Sequence, residues 1–239
     1  MFENLSQRAI HKNWKTTLFF FVLLAVVHFI AAYLKSLVIN FVGLLLFALV
    51  TLILVRKSDW PDIRIRKPIH LARVLWGLIL SVVFVFGCHT ILYLTVDYSP
   101  ANFMVIMAKQ QMSYGVINKY NAWQYFPVAA IGFSTISPLT EELFFRGALL
   151  RSFEYRFSAL TANLVQGFLF GFIHLAYFWL TEFNLTLIIT MVPLITLAGM
   201  LYGWITQETK SVISSMIVHA FCNFVLVFAV YAFIIPVMG

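Results

Sequence analysis

The chain has 239 residues, of which 62% are hydrophobic and only 10% charged, whereas a soluble domain carries about 25% charged residues. That composition excludes an ordinary soluble domain and places the chain among membrane proteins. The net charge of +7 sits mostly in short loops, which points to orientation in a lipid bilayer and away from nucleic acid.

The first apolar run, Thr16–Leu34, follows Arg8, Lys12 and Lys15. It is longer than the about 7–15 residues of a signal-peptide core, and no A-x-A site follows, so it reads as an uncleaved span. A spanning helix needs about 20 mostly apolar residues. Seven such stretches are predicted: Thr16–Leu34, Leu37–Val55, Leu71–Val96, Ala122–Leu150, Ser158–Leu180, Leu185–Ile205 and Val212–Ile235. The expected fold is all-α, a polytopic integral membrane helix bundle of about seven transmembrane helices. Only Lys35 and Ser36 separate the first two stretches, so they form a tight hairpin or one bent helix.

Within Asp97–Asn121, Met104, Met107, Ala108, Gln111 and Met112 recur at helical spacing, which fits a short interfacial helix or a plain loop. In the fourth stretch, Ser137 followed by Pro138 suits an N-cap and first helical position. A helix is therefore predicted to start at Pro138, inside the membrane. Trp14, Trp60, Trp76, Trp123, Trp179 and Trp204 fall near span ends, where amphipathic rings favour the headgroup zone. Twelve Lys and Arg residues lie in the loops of one side against three (Lys35, Lys109, Lys119) on the other. That asymmetry predicts a cytoplasmic N-terminus and an outer C-terminus. Cys88 and Cys222 both lie in apolar runs, so neither a disulfide framework nor a cysteine zinc site is expected.

The apolar stretches contain ionisable groups, each costing about 2.5–3.5 kcal/mol at the centre of a bilayer. Glu141, Glu142 and Arg146 share one stretch, His174 lies in the next, and His219 and Asn223 share the last. Glu141 lies ten residues before Arg151 and His219 nine after Lys210, or roughly 15 and 14 Å along a helix. Glu141 and His174 are also about equally far from the turn near Phe157–Ser158. Three helices thus bring Glu141, His174 and His219 to one depth. Asn223 follows His219 by one turn on the same face. Glu142 and Arg146 stand at i, i+4 in the favourable order for a structural ion pair. His28 and His89 read as packed, hydrogen-bonded residues.

A carboxylate with a histidine can deprotonate water for attack on a carbonyl. A histidine and an asparagine amide can hold the resulting oxyanion. The constellation therefore suits amide hydrolysis. Zinc is the rival, since two histidines and a glutamate can ligate it, but no H-E-x-x-H is present. No cofactor is the favoured reading.

E-E-x-x-x-R at Glu141–Arg146, F-x-x-x-H at Phe170–His174 and H-x-x-x-N at His219–Asn223 follow one another on successive apolar helices. Together they resemble the CPBP family (CAAX proteases and bacteriocin-processing enzymes, also called Abi), which includes CAAX prenyl endopeptidases of the Ras-converting type. The likeness covers about Trp123–Val230. It divides the chain into N-terminal transmembrane helices with an outward loop, 1–121, and a catalytic helix core, 122–236. The resemblance implies a glutamate-dependent intramembrane endopeptidase acting on membrane-associated or lipidated peptides or proteins. Glu141 would activate water with His174, His219 and Asn223 would form the oxyanion hole, and Glu142 with Arg146 would shape the site. The family is often described as metalloproteases; zinc on Glu141, His174 and His219 would be that alternative. A bacterial plasma membrane fits the compact layout. Two other classes stay open: a non-catalytic bacteriocin-immunity or membrane-peptide-binding protein, and a proton-relay transporter, for which paired repeats would be expected.

Overall fold

The computed structural model describes residues 12–34, 37–113, 117–178 and 184–238. Arg8, Lys35, Ser36, Trp179 and Leu180 lie outside the described residues. The helices are α1 (Trp14–Tyr33), α2 (Leu37–Leu54), α3 (Leu71–Val96), α4 (Phe103–Ser113) and α5 (Ala122–Glu142), followed by α6 (Leu150–Glu154), α7 (Ala159–Ile173), α8 (Leu175–Phe178), α9 (Leu185–Thr209) and α10 (Val212–Ala229). A π-helical stretch, Leu143–Leu149, joins α5 to α6, and a second, Val230–Ile234, extends α10. Helix is the form that satisfies every backbone donor and acceptor within one segment, as an apolar solvent demands.

Four helices are long and apolar enough to cross a bilayer: Trp14–Ala31, Leu71–Val96, Leu185–Thr209 and Val212–Val237. Val42–Ile53 and Ala159–Ile173 are shorter apolar helices. Among the described residues the predicted seven is therefore not reached by length and composition. For α5 and α7 the shortfall has local causes. Gln124, the Ser134–Ser137 stretch and the acidic pair dilute the apolar character of α5. The stretch predicted to run to Leu180 stops at Ile173, where His174 caps α7. The His174 Nδ1 takes the Phe170 carbonyl at 2.7 Å, four residues back.

The predicted helix start at Pro138 is incorrect: α5 runs unbroken from Ala122 with Pro127 and Pro138 inside it. Pro138 lacks an N–H for the carbonyl four residues back. The Ser134 carbonyl loses that partner, while Thr140 Oγ1 donates to the carbonyls of Ile136 (2.9 Å) and Ser137 (3.1 Å) further along. A membrane helix tolerates proline when such side chains and packed neighbours are present. The segment after Asp97 forms a helix, α4, and it is mostly buried: Phe103, Met104, Val105, Ile106 and Ala108 pack against the π end of α10.

Helix α10 packs against α5, α3 and α9, and α7 packs along α9. Lipid gives no hydrophobic drive between helices, so small side chains mark the contacts. The buried stripe of α3 is Val74, Gly77, Ser81, Val85, Cys88 and Leu92. Between α7 and α9 the backbones interlock: a Cβ on Gly199 would lie 3.1 Å from the Gly167 Cα, and one on Gly167 would lie 2.7 Å from the Met200 Cγ. That close approach brings the Gly199 carbonyl within reach of side chains from two other elements.

At the basic end of the bundle, residues 56–70 strap the α9–α10 turn. Val212 N donates to the Arg64 carbonyl (2.9 Å), Ile69 N to the Thr209 carbonyl (3.2 Å) and Arg66 Nε to the Lys210 carbonyl (2.8 Å). Ser211 Oγ donates to the Arg66 carbonyl. Glu154 accepts from Arg64 Nη2 (2.8 Å) and Gln207 Nε2 (2.8 Å). Asp62 accepts from Arg151 Nη2 (3.0 Å) and the Tyr155 hydroxyl (2.8 Å).

Candidate active site

Consecutive residues on a helix diverge by about 100°, so Glu141 and Glu142 serve different neighbours. Glu142 Oε1 takes Arg146 Nη1 at 2.8 Å and His219 Nδ1 at 2.8 Å. The Glu142 and Arg146 side chains are both 0% exposed. Arg146 continues to the Gly199 carbonyl through Nη2 at 2.9 Å, which the α7–α9 approach makes available and which Gln166 shares. Its guanidinium lies over the rings of Phe170 (4.3 Å) and Tyr202 (5.1 Å). The structural ion pair predicted for Glu142 and Arg146 is present, with His219 as a third member.

Glu141 is 3% exposed. Its Oε1 accepts from Ser137 Oγ at 2.5 Å, one turn earlier, while Oε2 is buried with no hydrogen-bond partner among the described residues. A buried carboxylate oxygen without a donor is costly and marks a place where a polar guest belongs. Ser137 thus serves the acid and not a helix start.

His174 is fixed through Nδ1 on the Phe170 carbonyl, and its ring lies 4.6 Å from that of Phe170. Glu141, His219 and Arg146 lie close enough for their charges to act on it. A carbonyl or carboxylate oxygen only accepts, so Nδ1 carries the proton in both His174 and His219. His219 stacks on Tyr202 at 4.4 Å and 18°, and meets the Phe170 ring edgewise at 5.7 Å. Asn223 is placed differently: its Nδ2 donates to the Phe133 carbonyl of α5 at 3.0 Å, a helix–helix bond. Among the described residues no three His, Cys, Asp or Glu side chains are grouped to hold a metal ion. The zinc alternative would use the Nε2 atoms of His174 and His219, whose Nδ1–H groups are held by oxygen acceptors, and Oε2 of Glu141.

His28 of α1 is buried, with Nδ1 on the Leu24 carbonyl at 2.8 Å and its ring 4.9 Å from that of Phe47. A Cβ on Gly43 would lie 3.0 Å from it. That packing agrees with its expected role, and Glu141 is near enough for its charge to reach the ring. Two participants lie outside the motifs read from the sequence. Ser137 could have been paired with Glu141 by its i, i+4 spacing, whereas Tyr202 sits in an apolar run with no polar neighbour to mark it.

Residues 122–225 match the family model of type II CAAX prenyl endopeptidases, Rce1-like. The match runs from the start of α5 into α10 and contains all three motif pairs. It supports an integral membrane endopeptidase and agrees with the resemblance carried by the motifs. No curated protein and no solved structure matches the chain. Helices α1 to α4 lie outside the Rce1-like segment, although α2 packs on α5, and α3 on both α9 and α10.

Proposed function

We propose that the chain is a glutamate-dependent intramembrane endopeptidase whose catalytic residues are Glu141, His174, His219 and Asn223, with Glu142 and Arg146 as positioning residues. The observation that carries this reading is the buried, unpartnered Oε2 of Glu141, whose charge reaches His174, an imidazole held in a defined tautomer. Glu141, with His174, takes a proton from a water molecule. The hydroxide attacks the scissile carbonyl carbon and its oxygen becomes an oxyanion. The C–N bond then breaks, the retained proton passes to the leaving amine, and a new carboxylate and a new amine result.

The hydrogen bond to Glu142 sharpens the role of His219. With Nδ1–H committed to the carboxylate, Nε2 can donate to an oxyanion only when the ring carries both protons. Glu142 is then the counter-ion of that imidazolium, and Arg146 holds the carboxylate in place. Asn223 must leave the Phe133 carbonyl, or share its second N–H, to join the oxyanion hole.

In this reading the cytoplasmic side is the basic end, the N-terminus is cytoplasmic, and residues 122–236 form the catalytic core. The membrane is a bacterial plasma membrane, and the substrates are membrane-associated or lipidated peptides, with no metal required. Cysteine labelling at positions 65 and 238 tests the orientation; modification of both from one side rejects it. The reaction is tested with purified protein beside Glu141→Gln on a peptide library with and without prenyl groups. The glutamine keeps shape and hydrogen bonding but cannot act as a base, so cleavage falls by at least about 10²-fold while folding is retained. Equal cleavage by both proteins overturns the mechanism. Chelation should leave cleavage intact, and loss restored by stoichiometric zinc would replace it with the metal mechanism.

A further inference from the structure

We infer that Tyr202 is a positioning residue for His219, holding the imidazole plane that serves the oxyanion; this inference rests on the peptidase reading above. His219 is gripped from two directions. Glu142 fixes Nδ1 in the ring plane at 2.8 Å, and Tyr202 covers a ring face at 4.4 Å and 18°. One hydrogen bond leaves an imidazole free to rock about it, and a parallel ring against its face removes that freedom. Tyr202 is itself immobilised. It is 2% exposed, and its hydroxyl lies near the Cys222 thiol, which in turn lies near Ser81 of α3. Arg146 lies 5.1 Å from the Tyr202 centroid, so the ring serves two partners, and Glu142, Arg146, Tyr202 and His219 form one closed set.

The chemistry favours an aromatic ring at this place. When His219 carries both protons it is a flat cation against a π face, an arrangement that attracts. An aliphatic side chain of similar volume would fill the space but offer neither the plane nor the quadrupole. Cys222, near both Ser81 and Tyr202, also brings α3, which lies outside the Rce1-like segment, into the surroundings of the proposed oxyanion histidine.

The test compares Tyr202→Phe, which keeps the ring and loses the hydroxyl, with Tyr202→Leu, which loses the ring. The full-length protein is labelled with ¹⁵N-histidine in detergent, and the His219 signal is assigned with His219→Gln. Wild type and Tyr202→Phe should show one sharp His219 Nδ1–H signal, whereas in Tyr202→Leu it should broaden or shift as the ring is released. On the best-cleaved peptide of the library, Tyr202→Leu should lose at least about tenfold in kcat with KM within about twofold, since misplaced groups cost orders of magnitude in rate. Tyr202→Phe should stay within about threefold of wild type in kcat. A wild-type signal and kcat in Tyr202→Leu, a loss confined to KM, or equal losses in both variants would overturn the inference. If Tyr202→Leu does not fold, Tyr202→Met against Tyr202→Trp makes the same comparison of an aliphatic with an aromatic filling. If no peptide is cleaved by wild type, the peptidase reading fails, while the His219 signal still decides whether Tyr202 positions the ring.

Discussion

Glu142 and Glu154 lie on one continuous helical run, twelve residues apart, and each gathers arginine together with at least one further donor. Glu142 holds Arg146 and His219 with the ion-pair side chains 0% exposed. Glu154 holds Arg64, Arg151 and Gln207, with Arg64 8% and Glu154 9% exposed. The chemistry is the same and the surroundings are not. The Glu154 network keeps a margin of exposure at the end of the bundle, so an ion there loses less when a partner leaves than one fully enclosed. Inside the bundle, desolvation of both ions offsets most of their attraction, so the pair adds little net stability, while either ion alone is severely unfavourable. A costly pair that stabilises little fits a site retained for what it positions, here His219, while the Glu154 network closes the strap over the α9–α10 turn.

Arg146→Ala should have the largest effect. It strands Glu142 beside His219 and removes a donor from the Gly199 carbonyl, and breaking a buried pair costs about 3–5 kcal/mol. The loss reads out as a lowered denaturant midpoint in detergent. Glu142→Leu combined with Arg146→Met should recover most of that stability, because apolar groups replace both ions. It should recover no peptidase activity, because His219 has then lost its acceptor. A double variant as unstable as Arg146→Ala would show the pair to be strongly stabilising in itself, and the contrast between the two regions would collapse.

Glu154→Ala should cost less, about 1–3 kcal/mol, the range for leaving a largely buried donor without its acceptor. Arg64 is the donor at risk, and its own carbonyl accepts from Val212 N, so damage should spread along the strap. Hydrogen exchange at Val212 should accelerate by about the factor that this energy implies, roughly 5- to 150-fold. Unchanged exchange would mean that the strap stands without its ion pair.

The two regions also differ in how far the sequence disclosed them. Glu141, Glu142, Arg146, His174, His219 and Asn223 stand out because an ionisable or amide group in an apolar run is rare, and helical spacing pairs Glu142 with Arg146. The same spacing is silent on the contact between Glu142 and His219, 77 residues apart, since depth arguments give a level and not a rotation about each helix axis. At the basic end the loop cations are legible only as a topology signal. Nothing in their order tells that Arg64 would seek Glu154 and Arg151 would seek Asp62, because both acceptors are brought in by tertiary packing. The unbroken α5 shows a related limit. Ser137–Pro138 carries a helix-start signature from proteins in water, and in an apolar bundle the hydroxyls of Ser137 and Thr140 turn to the acid and to the backbone instead.

The smallest effect should come from Glu208→Ala. Arg73 Nε lies 3.4 Å from Glu208 Oε2, with side chains 48% and 39% exposed, and exposed pairs contribute about 0–1 kcal/mol. Arg73 also lies over the Trp204 ring at 5.8 Å, so removal of the glutamate leaves the cation solvated and still in contact with an aromatic face. The expected loss is under about 0.5 kcal/mol, seen as a barely shifted midpoint at low salt that vanishes at high salt through screening. The three substitutions therefore form a gradient set by burial and not by charge, which each removes or strands in equal amount. A Glu208→Ala loss as large as that of Glu154→Ala would break it, because exposure would then have ceased to predict what an ion pair contributes in this molecule.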